Sequence, residues 1–440
     1  MSKIFNTGLR THVLTATLGL SLLAGCRTAG DDARAVAPAN ESLPAARAAT
    51  SNAAVLEWNT ILYEVTKADD GHKHSLAAAR VLAVMHLAQH DAVNAIAPAY
   101  ESYAFTERDP AADPAAAAAA AAHGVLSATY PRQAAMLDER LNRALASVAE
   151  PGRSRGVELG KRASAAILQR RSGDGSNTPP VGDYRPRSGP GAYQYVPPFE
   201  LAFAPGWRVL QPFALKAPSQ FRPGPPPALS SAEYTAAFDE VKTTGGQGSA
   251  ARTAEQTAYA TYWWEFSEIG WNRIARTVAT ERKLDLGATA RLFALLNMVL
   301  SDAYVAGWDA KFHYDFWRPY TAIRAAGRDD NPATTPDANW TSAEVTPPVQ
   351  DYPSTHSALG DAGAEVLASV FGDATSFTVG STTAPKDMPT RTFASFSAAA
   401  DENADSRVRG GLHFRFSCNE GQRLGRRIGR FAVDTQLRPL

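Results

Sequence analysis

The chain has almost no cysteine. Cys26 and Cys418 are the only two in 440 residues, which excludes a disulfide-built scaffold and leaves stability to packing or to a bound ligand. Net charge is missing too: Lys+Arg and Asp+Glu are both 44. Nucleic acid or an anionic membrane surface is therefore not expected as the main partner, and any strongly positive site must be local. Segments that alternate with period two are few and short, and no internal repeat is visible, which argues against a sheet-built or repeat architecture. Two catalytic signatures are absent. No Gly-x-Ser-x-Gly elbow surrounds Ser354, which speaks against a serine hydrolase. Leu87, not Glu, follows His86, so the i, i+4 pair His86/His90 lacks the zinc-protease motif and reads as core or interhelix hydrogen bonding.

What is present begins with a leader. Lys3 and Arg10 precede an apolar stretch from Val13 to Leu23, too short to span a bilayer and suited to a signal-peptide core. It ends in Leu23-Ala24-Gly25-Cys26, which resembles a bacterial lipobox. That resemblance implies a lipoprotein signal peptide over 1–25 and a lipidated Cys26. With Arg27 next, it implies an exported lipoprotein of the bacterial cell envelope, held in the outer membrane only through its lipid. Residues 26–52 are rich in Ala with scattered charge and read as a flexible tether.

The rest reads as one all-α domain over 53–440. Hydrophobic residues make up 45% of the chain, enough for a sizeable core. Leu76, Ala79, Leu82, Ala83, Leu87, Val93 and Ile96 recur at helical spacing before Pro98, and the Ala-rich run from Pro114 continues the N-terminal helices of 53–171. Residues 172–229 are dense in Pro and Gly but interleaved with Tyr184, Tyr193, Tyr195, Phe199, Phe203, Trp207 and Phe213. So aromatic a segment reads as an ordered irregular loop laid over the helices, roofing a site. Helical text resumes over 230–440.

Three segments in that last part carry chemistry. Lys311 and Arg318 are seven apart, about two helical turns, so one helix could aim both cations the same way. Asp351-Tyr352-Pro353-Ser354-Thr355-His356-Ser357 opens an apolar helix. Backbone N–H groups at such a start bind anions, Ser354 can add a hydroxyl, and His356, placed one turn in, can move a proton. Ser406-Arg407-Val408-Arg409-Gly410-Gly411-Leu412-His413 adds a permanent cation, a glycine pair that lets backbone approach closely, and an imidazole able to act as nucleophile or ligand. Together they form a kit for a tetrahedral or trigonal-bipyramidal oxyanion, phosphate or vanadate.

In this order and spacing, the three segments resemble the superfamily that unites vanadium-dependent haloperoxidases with type 2 phosphatidic acid phosphatases and bacterial acid phosphatases. Gly307-Trp308-Asp309-Ala310-Lys311-Phe312-His313-Tyr314-Asp315-Phe316-Trp317-Arg318-Pro319, His413-Phe414-Arg415-Phe416 and Met85-His86 to Asp91-Ala92-Val93-Asn94-Ala95-Ile96 tilt the resemblance to the haloperoxidase branch, over roughly residues 55–435. It implies a double four-helix-bundle arrangement with long ordered loops. It also implies roles: Lys311, Arg318 and Arg407 balance the anion, while Ser354 and the Thr355 N–H bind its oxygens. His413 is the axial vanadium ligand, His356 the acid–base group, and Trp308 the wall on the halide side. The implied activity is vanadate-dependent oxidation of a halide by hydrogen peroxide, with a small organic acceptor. A phosphomonoesterase with His413 as nucleophile is the alternative, and a silent phosphate-binding envelope lipoprotein the third.

Three positions depart from the family's pattern. Thr355 stands where Gly is common, and its β-carbon is expected to crowd the anion. Ser417 stands four after His413, where many members have Asp, so another acceptor, a backbone carbonyl for example, is expected to set the tautomer of His413. Val349 stands where the family often has an aromatic or His near the halide. Elsewhere, His72 and His74 read as exposed loop residues, and Glu265 as a buried carboxylate paired with a site Arg or with a structural partner.

Overall fold

The computed structural model describes residues 51–440; the leader, Cys26 and the tether up to residue 50 lie outside the described residues. Long apolar periodicities and well-placed caps become α1 (Ala53–Asp70), α2 (Ser75–Ile96), α3 (Pro114–Thr129), α4 (Ala134–Leu145) and α5 (Gly152–Arg170). After the loop come α6 (Ala232–Thr244), α7 (Ala254–Tyr262), α8 (Ser267–Glu281), α9 (Leu286–Tyr314), α10 (Pro319–Ala325), α11 (Thr355–Phe371), α12 (Phe396–Arg409) and α13 (Arg415–Thr435). Asp113 caps α3 ahead of Pro114, and Thr253 with Gln256 closes a capping box on α7, both placements that satisfy orphan N–H groups of a first turn. The one sheet among the described residues is a short antiparallel pair, β1 (Phe377–Gly380) with β2 (Thr390–Phe393).

The fold is all-α and built around α9. This helix is apolar and long enough to cross a bilayer, yet 83% of its most apolar window is buried; it is the shared centre of two helical groups. On one side it packs on α2, with α3 and α5 beyond; on the other it packs on α11, with α13 and α12 beyond. Close approach is bought by small residues. A Cβ on Gly156 or Gly160 of α5 would fall 2.6 or 2.4 Å from the Asp113 or Ala117 carbonyl oxygen, and one on Gly421 or Gly425 of α13 would fall 2.2 Å from that of Ser354 or Ala358. The second contact sets α13 directly against the residue that caps α11.

Two buried aspartates hold the loops to this frame. Asp91, inside α2, accepts the N–H groups of Tyr103, Ala104 and Phe105 at 2.7, 2.7 and 3.0 Å. Asp302, inside α9, accepts those of Phe213, Ala214 and Leu215 at 2.6, 2.8 and 2.9 Å. Each carboxylate satisfies three donors that a buried loop would otherwise leave orphaned. Residues 172–229 contain only one short 3-10 turn, Pro205–Val209, but they are pinned along the C-terminal end of α9. Tyr193 N–H donates to Asp315 O, Trp317 N–H to Gly191 O and Phe203 N–H to Pro348 O.

Candidate oxyanion site

α9 does not run on to Arg318. It ends at Tyr314, and Asp315 takes a left-handed conformation at φ 53°, unusual for a non-glycine residue. The Asp315 side chain holds this turn by accepting from Tyr184 Oη at 2.7 Å, Arg187 Nε at 2.8 Å and Gln350 Nε2 at 3.1 Å. The chain then doubles back so that Arg318 sits at the N-terminus of α10. Lys311 and Arg318 thus converge from two elements around a sharp turn, not from one helix face.

All three cations are buried, with Lys311 at 0% and Arg318 and Arg407 at 1% exposure. Lys311 Nζ donates to the carbonyls of Gln350 and Asp351 at 2.6 and 2.9 Å. Arg318 Nε donates to Val349 O at 2.7 Å, and its Nη1 to Leu412 O at 2.8 Å and His413 Nε2 at 3.0 Å. Arg407 Nε donates to Ser406 Oγ at 3.0 Å and Nη2 to Trp263 O at 2.8 Å. These partners are neutral; among the described residues, no carboxylate forms an ion pair with any of the three. Part of each donor set has no protein partner: one N–H of Lys311, the Nη2 group of Arg318 and the Nη1 group of Arg407. Burial holds all three below their ordinary pKa, Lys311 well below and Arg407 at about 10. Stacking uncompensated charge in a dry interior is costly without an anion among them.

Ser354 caps α11 as its sequence suggests. Its Oγ accepts from the N–H of Ser357 at 3.4 Å and from Ser357 Oγ at 3.0 Å, which leaves its own proton free to donate. Thr355 and His356 are the first two residues of the helix, so their N–H groups have no helical acceptor. His356 lies in the first turn rather than one turn in. The β-carbon of Thr355 does not crowd this helix start. A Cβ on Gly307 of α9 would fall 2.2 Å from Thr355 Cγ2, so the threonine methyl occupies a notch that a glycine keeps open.

The two imidazoles differ in tautomer. His356 Nε2 lies 3.1 Å from the Glu265 carbonyl oxygen, which can only accept, so the proton is on Nε2 and Nδ1 carries the lone pair. Burial, with Arg407 nearby, pushes this imidazole down to about 3; it is a neutral base. His413 Nε2 faces the Arg318 guanidinium, a pure donor, so its lone pair points to the cations and its proton is on Nδ1. Burial and the three cations hold His413 well below its ordinary pKa. Gly411, at φ 77° with a would-be Cβ 2.3 Å from the Gly245 carbonyl oxygen, allows the turn that delivers His413.

A carboxylate, not a backbone carbonyl, faces the Nδ1 side of His413. Nδ1 lies 2.9 Å from Asp351 Oδ1, at ion-pair distance but not aligned as a hydrogen bond, and neither atom has any other partner. The other carboxylate oxygen accepts from Ser417 Oγ. Sequence reasoning missed Asp351, because nothing along the chain links position 351 to position 413. Burial raises its carboxyl to about 6, against the pull of Arg318.

The remaining candidates find structural partners. Trp308 is buried on α9 and donates from Nε1 to Phe203 O at 3.1 Å, tying the long loop to the helix. Val349 contributes its carbonyl to Arg318. Glu265 pairs with Arg273, at 2.7 and 3.0 Å, rather than with a site arginine. His72 is buried, not exposed, between Thr66 Oγ1 at 2.9 Å and Glu268 at 3.0 Å, and His74 caps α2. His86 bonds Asn59 at 2.8 Å and His90 the Glu101 carbonyl at 3.0 Å. Among the described residues, no cluster of His, Cys, Asp and Glu could hold a metal cation.

Comparison with known proteins bears on this arrangement. Residues 291–440 match the family model of the VCPO second helical-bundle domain. The vanadium chloroperoxidase of Curvularia inaequalis is 31% identical over 195 residues, 38% of this chain and 32% of its own length; the match spans about a third of that relative. Among solved structures, the first bacterial vanadium-dependent iodoperoxidase superposes with a TM-score of 0.76 at 25% identity, covering 91% of this chain and 99% of its own. A bacterial vanadium-dependent chloroperoxidase in its holo form gives 0.66 at 19% identity, covering 82% and 91%, a likeness of fold.

Proposed function

We propose that the chain is a member of the vanadium-dependent haloperoxidase family, a vanadate-dependent haloperoxidase-like enzyme that oxidises a halide with hydrogen peroxide. One observation carries the reading: three buried cations converge on His413 Nε2 and the start of α11, and among the described residues no carboxylate is paired to any of them. The residues fit an oxyanion with a histidine ligand. Lys311, Arg318 and Arg407 supply charge and free N–H donors, Ser354 a free hydroxyl proton, and Thr355 and His356 unpaired backbone N–H groups. His413 offers an Nε2 lone pair and no competing proton. When bound, vanadate supplies Lewis-acid activation of peroxide without a change of oxidation state.

The protein's own groups do the rest. His356, neutral and anchored through Nε2, takes a peroxide proton at Nδ1. Lys311, fixed by two carbonyls, would present its remaining N–H to an oxygen of the bound anion and draw charge from it. The small organic acceptor then meets the oxidised halogen. The long loop keeps the cations in a water-poor setting, where their fields act most strongly on developing charge. Purified protein with added vanadate should brominate an organic acceptor in a peroxide-dependent way, and His413→Ala should abolish this. Phosphate-ester hydrolysis that vanadate inhibits, with no bromination, would overturn the reading in favour of a phosphomonoesterase. Lipid attachment at Cys26 and residence in the outer membrane are part of the proposal; mass spectrometry of the exported protein, with Cys26→Ser as control, tests them.

A further inference from the structure

We propose that Asp351 is the positioning residue for His413, and that this chain supplies from the segment before α11 the carboxylate that position 417 does not provide. The inference deepens the reading above and rests on it. Asp351 and His413 are buried, at 0% and 4% exposure. Asp351 Oδ1 and His413 Nδ1 stand 2.9 Å apart, and among the described residues neither makes a hydrogen bond elsewhere, so the two unpaired atoms face each other. The second oxygen is held by the Ser417 hydroxyl, and the Asp351 backbone is held by Lys311 Nζ and by its own N–H to Phe316 O. The carboxylate therefore cannot swing away, and it fixes the imidazole proton on Nδ1. Nε2 is left as a lone pair aimed among the cations, the form a ligand needs. Ser417 acts through Asp351: a hydroxyl at 417 is too short to serve as the acceptor itself, but it locks the carboxylate that does.

A second role for Asp351, that of simple counter-charge, predicts the opposite sign for one probe. Phosphate binds through charge and hydrogen bonds alone, whereas vanadate also takes the histidine nitrogen. If Asp351 positions His413, Asp351→Asn weakens vanadate roughly 10–100-fold, the usual cost of losing an orienting partner, while inorganic phosphate binds as well or better because a negative charge is gone. Ser417→Ala weakens vanadate less than Asp351→Asn does. Ser417→Asp in an Asp351→Ala background restores vanadate affinity by returning a carboxylate to His413 from α13.

The experiment is calorimetric titration of wild type and these variants with vanadate and, separately, with phosphate. It is joined by nitrogen-15 NMR of histidine-labelled, anion-free protein to read the tautomer of His413. Wild-type His413 protonated on Nδ1, with that population reduced in Asp351→Ala, which removes the acceptor altogether, supports the proposal. A wild-type His413 protonated on Nε2, or vanadate and phosphate affinities that shift together in Asp351→Asn, overturns it. The tautomer readout needs no vanadate, so the comparison of wild type with Asp351→Ala decides the role of Asp351 even if wild type binds no vanadate and the functional reading fails.

Discussion

The chain buries two pairs of histidines, and the pairs are built in opposite ways. His86 and His90 sit on α2 among amides and carbonyls, and burial pushes them down to about 3 and 4. His356, half-buried, and His413, buried, sit at the start of α11 and just ahead of α13, and both are held below their ordinary pKa, but among Lys311, Arg318 and Arg407. Burial and a low pKa therefore do not mark function here. Concentrated positive charge does: the hydrogen-bond partners of His86 and His90 are an amide and a backbone carbonyl, whereas at the start of α11 a set of cationic donors remains open. Asp91 makes the same point from the other side. It is an anion enclosed by three N–H groups of its own chain, while the cation cradle waits for an anion from outside.

The strongest way to break this contrast is Lys311→Met. It should weaken vanadate or phosphate binding by roughly 10²-fold or more, since a charge-assisted contact in a dry site is lost. The anion-free protein should melt no earlier than wild type, because an unpaired buried charge is lost with it. Titration and thermal denaturation read the two effects; a large loss of anion-free stability would mean that the cradle is structural. Next in size, vanadate at a hundred times its dissociation constant should stabilise wild type by about 2.7 kcal/mol, and His413→Ala should abolish most of that gain in a thermal-shift assay.

Asp91→Asn should do the reverse of Lys311→Met. It should cost about 2 kcal/mol of stability, through weakened bonds to the loop N–H groups, and leave anion affinity within twofold of wild type. The smallest effect is pH-dependent. A histidine whose folded pKa lies below its unfolded 6.5 contributes full stability above pH 6.5 and loses it as pH falls toward the folded value, about 4 for His90. His90→Gln, whose amide can still donate to the Glu101 carbonyl, should remove about 1 kcal/mol of this loss at pH 5.5. Denaturant melts of both proteins between pH 7 and 5 check it, and parallel pH slopes would show that His90 does not titrate this way.

Much of the helical frame and of the cation set was legible along the chain. Apolar recurrence on α2 and α9, Ser354 as a cap and the residues that converge at the site are local or motif-level features, and local chemistry survives folding. The long aromatic loop read as ordered, and it is pinned to the end of α9. Other features were not legible. The convergence of Lys311 and Arg318 depends on a left-handed turn at Asp315 that Tyr184, Arg187 and Gln350 hold from afar. The threonine methyl at 355 finds room because Gly307, on another helix, leaves a notch for it. His72 is buried because Glu268 meets it across the fold.

The sequence by itself determined which charges and imidazoles the site would have, because residue type fixes charge, donor count and helix-capping behaviour wherever the residue lies. Only the tertiary structure decided how they are aimed. The tautomer of each histidine, the absence among the described residues of any carboxylate paired to the three cations, and the proposed replacement of an i+4 carboxylate by Asp351 all depend on contacts between distant segments. Such contacts follow from how α9, α11 and α13 pack, and packing is a property of the whole chain, not of any window of it.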